Sequence, residues 1–163
     1  MKRVILVRHA KSSWDDASLP DFERPLNERG KHDAPIMAKR LLDKKVEIDA
    51  FITSTARRAR KTAVLFAKEY GQHKDDLIMV DALYHAGSEE FYNAIEQAPA
   101  RARTIAIFSH NPGITEFANS LTNTRVDDMP TCAVFAVRCP IKEWSEFRNA
   151  EKEFWFFDYP KNH

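Results

Sequence analysis

The stretch VILVRHAKSSW, from Val4 to Trp14, decides how the rest of the chain is read. Four apolar residues, Val4 to Val7, run straight into Arg8 and His9, with small polar residues behind them. An uninterrupted Val/Ile/Leu run of this length suits a strand buried on both faces. Such a strand delivers a guanidinium and an imidazole at its carboxyl end, the edge where ligands bind in open α/β sheets.

Two further segments share this design. DAFITSTARRARKTA (49–63) and TIAIFSHNPGITEFA (104–118) each open on a short apolar run, pass through polar residues and continue with a helical pattern. Strands alternating with helical stretches predict parallel strands joined by crossovers. The expected fold is a three-layer α/β/α sandwich, with a mostly parallel central sheet and helices on both faces. TCAVFAVRC (131–139) and EFWFFDY (153–159) predict two further strands, an antiparallel pair beside the parallel core.

The helices are legible in outline. In PLNERGKHDAPIMAKRLLDKK (25–45), Ala34, Met37, Ala38 and Leu41 keep helical spacing. Asn27 is a cap candidate, while Pro35 implies a kink or a later start. From Ala56 to Tyr70 the residues Ala59, Thr62, Ala63, Phe66 and Tyr70 share one face, and Gly71 is a stop signal. With that face inward, Arg57 and Lys61 project to the opposite side, as solvated basic residues, and Arg58 and Arg60 lie on the flanks. Periodicity does not choose between these two. A third helix is expected over Ser88 to Gln97, capped by Ser88, and a fourth from after Pro112-Gly113 to about Leu121.

The whole chain narrows the function classes. Its 163 residues suit a single domain, 1–163. Twenty-five Lys+Arg against 24 Asp+Glu give a formal net charge of +1, which argues against a broad nucleic-acid footprint. RRARK (57–61) lacks the interleaved aromatics of a nucleic-acid platform. Cys132 and Cys139 are too few for a disulfide framework and lack zinc spacing, so free thiols in a reducing compartment are expected. The apolar run after Lys2 and Arg3 is too short for a secretory signal, and no stretch could span a bilayer. A cytoplasmic protein with no membrane partner follows.

Gathered at one sheet edge, Arg8-His9, Ser54-Thr55 with the arginine cluster, and Ser109-His110 would set two imidazoles among guanidiniums. That cavity suits a dianion making bidentate hydrogen bonds, phosphate above all. A neutral imidazole there is also a competent nucleophile toward phosphorus. Surrounding cations would stabilise the equatorial oxygens of the transferring group, so no metal or other cofactor is required.

LVRHAK, RPLNERG, STARRARKTA, LYHAG and SHNPG, in this order and spacing, resemble the histidine phosphatase (phosphoglycerate mutase-like) superfamily. Chain length and motif form resemble its SixA-type phosphohistidine phosphatase branch, over Val4 to about Val137. The resemblance implies His9 as nucleophile, with Arg8, Arg58 and His110 completing the phosphate pocket. It also selects Arg58 over Arg60, because the family's second arginine directly precedes the Ala of its RA pair. The implied partner is a phosphorylated protein carrying phosphohistidine, or a small phosphorylated substrate. Two alternatives stand beside it, a small-molecule phosphomonoesterase and a non-catalytic module that binds phosphoproteins.

Two departures from the commoner family pattern stand out. Ala10 occupies the usual glycine of Arg-His-Gly, so its backbone is expected to avoid positive φ. Tyr84-His85 stands where many relatives carry a glutamate proton donor. His85 is the candidate replacement, with Asp15, Asp16 or water as alternatives. An imidazole leaves more readily than an alkoxide, which tilts the reading toward phosphohistidine. Arg24 is read either as a support or substrate contact of the pocket or as a surface ion pair. Lys11 to Trp14 are read as pocket rim, and His32, His73 and His163 as surface residues.

Overall fold

A computed structural model gives the fold and describes residues 1–162; His163, expected at the surface, lies outside the described residues. Six strands form one sheet in the order β3-β2-β4-β1-β5-β6. They are β1 (Lys2–Arg8), β2 (Ala50–Thr53), β3 (Ile78–Met79), β4 (Thr104–Ser109), β5 (Val134–Cys139) and β6 (Glu153–Asp158). β1, β4, β2 and β3 run parallel, β5 is antiparallel to β1, and β6 is antiparallel to β5. The expected antiparallel pair thus sits beside the parallel core, with β6 at the edge.

Strand alternation builds two cores. Val4 and Leu6 of β1 join Ile52, Ile105 and Ile107 on one face, packed against Phe91 of α3 (Ser88–Glu96) and Phe117 of α4 (Gly113–Leu121). Ile5 and Val7 point to the other face with Phe51, Ala106 and Phe108. There they meet Met37 and Leu41 of α1 (Glu28–Asp43) and Ala63 and Phe66 of α2 (Arg57–Glu69). Burying each large apolar side chain contributes about 1.5–3 kcal/mol. Trp144 and Phe147 are core residues, as their apolar surroundings require.

The helix ends refine the sequence reading. Asn27 caps α1, its side-chain oxygen accepting from the Gly30 N–H at 2.9 Å, so the helix starts at Glu28 and runs through Pro35 rather than beginning after it. α3 begins at Ser88 as expected, but Gly87, not Ser88, is the capping position, and its N–H donates to Glu90 Oε1 at 2.7 Å. Gly71 follows the end of α2 with φ 73°, the left-handed turn that glycine adopts without a steric cost. The two-residue β3 was not expected; at that length it has no periodicity to read.

Candidate active site

Sheet register assembles the site. Arg8 stands opposite Ser109 in the β1–β4 ladder, and the His9 N–H donates to the Ser109 carbonyl at 3.1 Å. One strand further out, the Ser54 N–H donates to the Phe108 carbonyl at 2.9 Å. Arg8-His9, Ser109-His110 and Ser54 therefore leave the sheet side by side, at the carboxyl ends of three parallel strands.

His9 is buried, and its Nδ1 lies 2.8 Å from the Ala10 carbonyl oxygen. A carbonyl only accepts, so Nδ1 carries the proton and Nε2 is unprotonated, its lone pair accepting a long hydrogen bond from Arg58 Nε. Burial pushes the imidazole down to about 3, with Arg58, Arg8 and Arg24 acting in the same direction. The ring is neutral at physiological pH, the state a nucleophile needs. Among the described residues, Ala10 is not one of the three non-glycine residues with positive φ, as its side chain requires. Its N–H donates to Thr62 Oγ1 at 3.0 Å, and that hydroxyl donates to the Arg58 carbonyl at 2.8 Å. The end of β1 is thereby tied to the first turn of α2, which carries Arg58.

Arg58 is buried while Arg57, Arg60 and Lys61 face solvent. Its Nε lies 3.4 Å from His9 Nε2. The His110 ring centroid is 5.2 Å from that of His9, and its Nε2 is 2.8 Å from Ser54 Oγ. His110 is also held neutral, at about 3, by burial first and then by His9 and Arg58. Arg8 Nη1 donates to the Met129 carbonyl at 2.8 Å. Arg8 Nε and His110 Nδ1 are buried polar atoms without a protein partner. Two such atoms beside one imidazole mark a place where a ligand takes their hydrogen bonds.

The matching family model is that of the histidine phosphatase superfamily (branch 1), over residues 4–83. The SixA structure of Agrobacterium tumefaciens superposes with a TM-score of 0.80 at 25% identity, covering 98% of each chain. The chain belongs to the histidine phosphatase superfamily.

Other members are similar in part or in fold. An uncharacterized chloroplastic protein of Arabidopsis thaliana is 29% identical over 153 residues, 89% of this chain and 70% of that protein. A 2,3-bisphosphoglycerate-dependent phosphoglycerate mutase of Gloeothece citriformis is 36% identical over 74 residues, 44% of this chain and 32% of the mutase. The protein histidine phosphatase SixA in complex with tungstate shares the fold, at TM-score 0.78 and 22% identity, covering 98% of each chain.

In this histidine phosphatase fold the mouth of the site is a cleft of about 530 Å³, lined by Asp21, Arg58, Tyr84, His85, His110 and Glu116 among others. Sequence reasoning did not find Asp21. It sits on a single 3₁₀ turn, Asp21–Glu23, and its carbonyl and carboxylate oxygens accept from Arg58 Nη1 at 2.7 Å and Nη2 at 3.0 Å. Tyr84 OH donates to the same carboxylate at 2.6 Å. That hydrogen bond, followed by those from Arg58 and Arg24, holds the Asp21 carboxyl well below the usual carboxylate range. The signal was weak because Asp21 lies in an irregular loop, where no periodicity assigns a direction. Glu116 was missed because its helix was read only for its bounds.

Of the candidate proton donors, His85 lines the cleft, in a left-handed conformation (φ 62°) with its ring 3.9 Å from that of Tyr84. Asp15 and Asp16 face solvent, and Asp16 is engaged with Ser18. Arg24 is buried, donates to Ser12 Oγ and to the Ser13 carbonyl at 3.1 Å, and pairs with Asp21 at 3.1 Å. It is thus a support of the loop rather than a surface ion pair. Ser12 and Ser13 hold Arg24, and Trp14 stacks on its guanidinium at 3.3 Å while 73% exposed. His32 and His73 are exposed, as expected.

Proposed function

We propose that the chain is a phosphatase that hydrolyses protein phosphohistidine through a covalent intermediate on His9. The observation that carries the mechanism is the tautomer of His9. Its Nδ1–H is committed to the Ala10 carbonyl, so Nε2 presents its lone pair to a cavity bounded by Arg58 and His110.

The steps follow from these atoms. His9 Nε2 attacks phosphorus in line, the bond from phosphorus to the leaving nitrogen breaks, and the leaving imidazole takes a proton. Water then attacks phospho-His9, releasing phosphate and restoring the neutral ring. Arg8, Arg58 and His110 hold the phosphoryl oxygens, with Arg8 Nε and His110 Nδ1 as the donors no protein group engages. Such preorganised charge is the main contribution a protein makes to phosphoryl transfer. Two guanidiniums supply it, so the reaction is proposed to run without metal or cofactor.

Proton donation favours phosphohistidine over an ester. Asp21 is held ionised by Tyr84 and Arg58 and is a poor donor. His85 is the proposed donor. A phosphoramidate makes the smaller demand on it, because imidazole is a far better leaving group than an alkoxide. SixA bound to tungstate, a tetrahedral oxyanion, is a protein histidine phosphatase of the same fold, which supports this assignment. The buried free thiols of Cys132 and Cys139 fit the reducing, cytoplasmic setting we propose.

Similarity to phosphoglycerate mutases supports a second reading, a small-molecule phosphomonoesterase at the same site. Rates on a phosphohistidine peptide and on simple phosphomonoesters decide between them. We expect kcat/KM to be highest for the peptide; a higher value for an ester would overturn the assignment.

A further inference from the structure

The basic run on α2 has a use beyond Arg58. Below the 3₁₀ turn Asp21–Glu23, a groove of about 440 Å³ lies between α1 and α2. Pro25, Leu26 and Val64 give it apolar surface, and the rest of its lining is cationic: Lys31, Arg57, Arg60, Lys61 and Lys74. Among the described residues, no carboxylate lines it. Among the described residues, Arg57, Arg60, Lys61 and Lys74 form no ion pair, and Glu28 reaches only Lys31, at 3.4 Å. Four unpaired cations in one groove are a local concentration in a chain of net charge +1.

The groove is placed next to the reaction. Arg57 and Arg58 are consecutive at the start of α2, and both reach the same turn: Arg57 Nη1 donates to the Glu23 carbonyl at 3.4 Å, and Arg58 Nη1 to the Asp21 carbonyl. One three-residue turn therefore separates the groove from the catalytic cleft. From Arg57 the groove follows α2 to Val64, about 10 Å at the rise of an α-helix.

We propose that this groove docks an acidic segment of the phosphoprotein substrate, beside the phosphohistidine held in the cleft. The proposal rests on the protein-phosphohistidine reading above. An extended chain advances about 3.3–3.6 Å per residue, so carboxylates about three to six residues from the phosphohistidine reach the groove. Charge complementarity at such a rim speeds encounter and selects partners. The apolar surface at Pro25, Leu26 and Val64 accepts the methylenes of glutamate side chains. Exposed charge pairs each contribute a factor of roughly two, so three of them give about tenfold.

The test uses three phosphohistidine peptides that differ only in their flank, which carries glutamates, glutamines or lysines, and free phosphohistidine as a fourth substrate. Wild type is compared with the triple variant Arg60→Glu/Lys61→Glu/Lys74→Glu. Wild type is expected to favour the acidic peptide about tenfold in kcat/KM, an advantage that shrinks with added salt. The variant loses that preference, gains one for a lysine-flanked peptide and keeps its rate on free phosphohistidine. Equal wild-type rates on the glutamate and glutamine flanks would overturn the groove while leaving the phosphohistidine reading intact. Binding of the unphosphorylated glutamate peptide, followed by fluorescence anisotropy, separates the opposite case. If it binds wild type and not the variant while phosphohistidine is not hydrolysed, the groove stands and the substrate assignment fails. Displacement of that peptide by a lower concentration of single-stranded oligonucleotide would assign the groove to nucleic acid and overturn the proposal.

Discussion

Asp21 holds the guanidinium of Arg58 with two of its own oxygens, the carbonyl at 2.7 Å from Nη1 and the carboxylate at 3.0 Å from Nη2. The arrangement leaves Arg58 Nε directed at His9, 3.4 Å from Nε2. Asp21 is thus a positioning residue: it fixes the plane of the guanidinium and opposes part of its charge. In Asp21→Asn the side chain keeps its size and loses its charge. We expect kcat to fall roughly 10- to 100-fold, because a misplaced catalytic group costs about that much. Inhibition by orthophosphate should not weaken, since the pocket becomes more positive. Tighter phosphate binding with unchanged kcat would show that Asp21 orients nothing.

The planar fork of Arg58 serves Asp21 and His9 together. Lysine retains the charge but offers a compact ammonium in place of the fork. Arg58→Lys is therefore expected to lose about 10²- to 10³-fold in kcat, a loss comparable to removing one donor to a developing oxyanion. Steady-state kinetics on phosphohistidine reads this directly; a loss below about tenfold would mean that charge alone suffices.

Thr62 ties β1 to α2 by accepting from the buried Ala10 N–H and donating to the Arg58 carbonyl. Thr62→Val preserves shape and strands that N–H. The expected cost is about 1–3 kcal/mol in urea-induced unfolding. An unchanged midpoint would show that the N–H is satisfied elsewhere.

His9 and His110 are both lowered from the ordinary histidine value of 6.5 to about 3 in the folded chain. The unfolded chain therefore binds more protons between these values. The stability contributed by keeping both rings neutral is present above pH 6.5 and is lost as pH falls toward 3. Urea midpoints measured down this range should decline, and less steeply in His110→Asn. An identical slope in that variant would place the acid sensitivity elsewhere. Bound phosphate should raise both values, by opposing the positive field of the guanidiniums.

His85→Ala tests proton donation. Hydrolysis of a phosphomonoester should fall about 10²-fold, the usual worth of a general acid, and that of phosphohistidine much less. Equal losses on both substrates would remove His85 from the donor role. Assays in chelator should run at full rate; activity restored only by added metal would contradict the proposed metal-free reaction.

Much of the architecture was legible because strands buried on both faces declare themselves as apolar runs. Val4 to Val7 and Ile105 to Phe108 have few alternative readings. Their register then carries Arg8-His9 and Ser109-His110 to a common edge, so these residues meet as a consequence of strand pairing. Arg58 was harder. Helical periodicity left it level with Arg60, and only the RA pair of the resemblance chose it; in the fold it is buried and Arg60 is exposed. Asp21 was not legible, and the readings of Arg24 stayed open, because the loop from Lys11 to Asn27 has little regular structure. Its conformation is set by contacts with α2 and Tyr84, which are distant in sequence.

The claim on which the rest depends is covalent transfer to His9 Nε2. Rapid acid-free quenching during turnover of ³²P-labelled phosphohistidine peptide, followed by peptide mapping, measures it. The expected result is an acid-labile, base-stable phosphoryl group on the peptide containing His9, with both label and turnover lost in His9→Ala. Turnover undiminished in His9→Ala would contradict it.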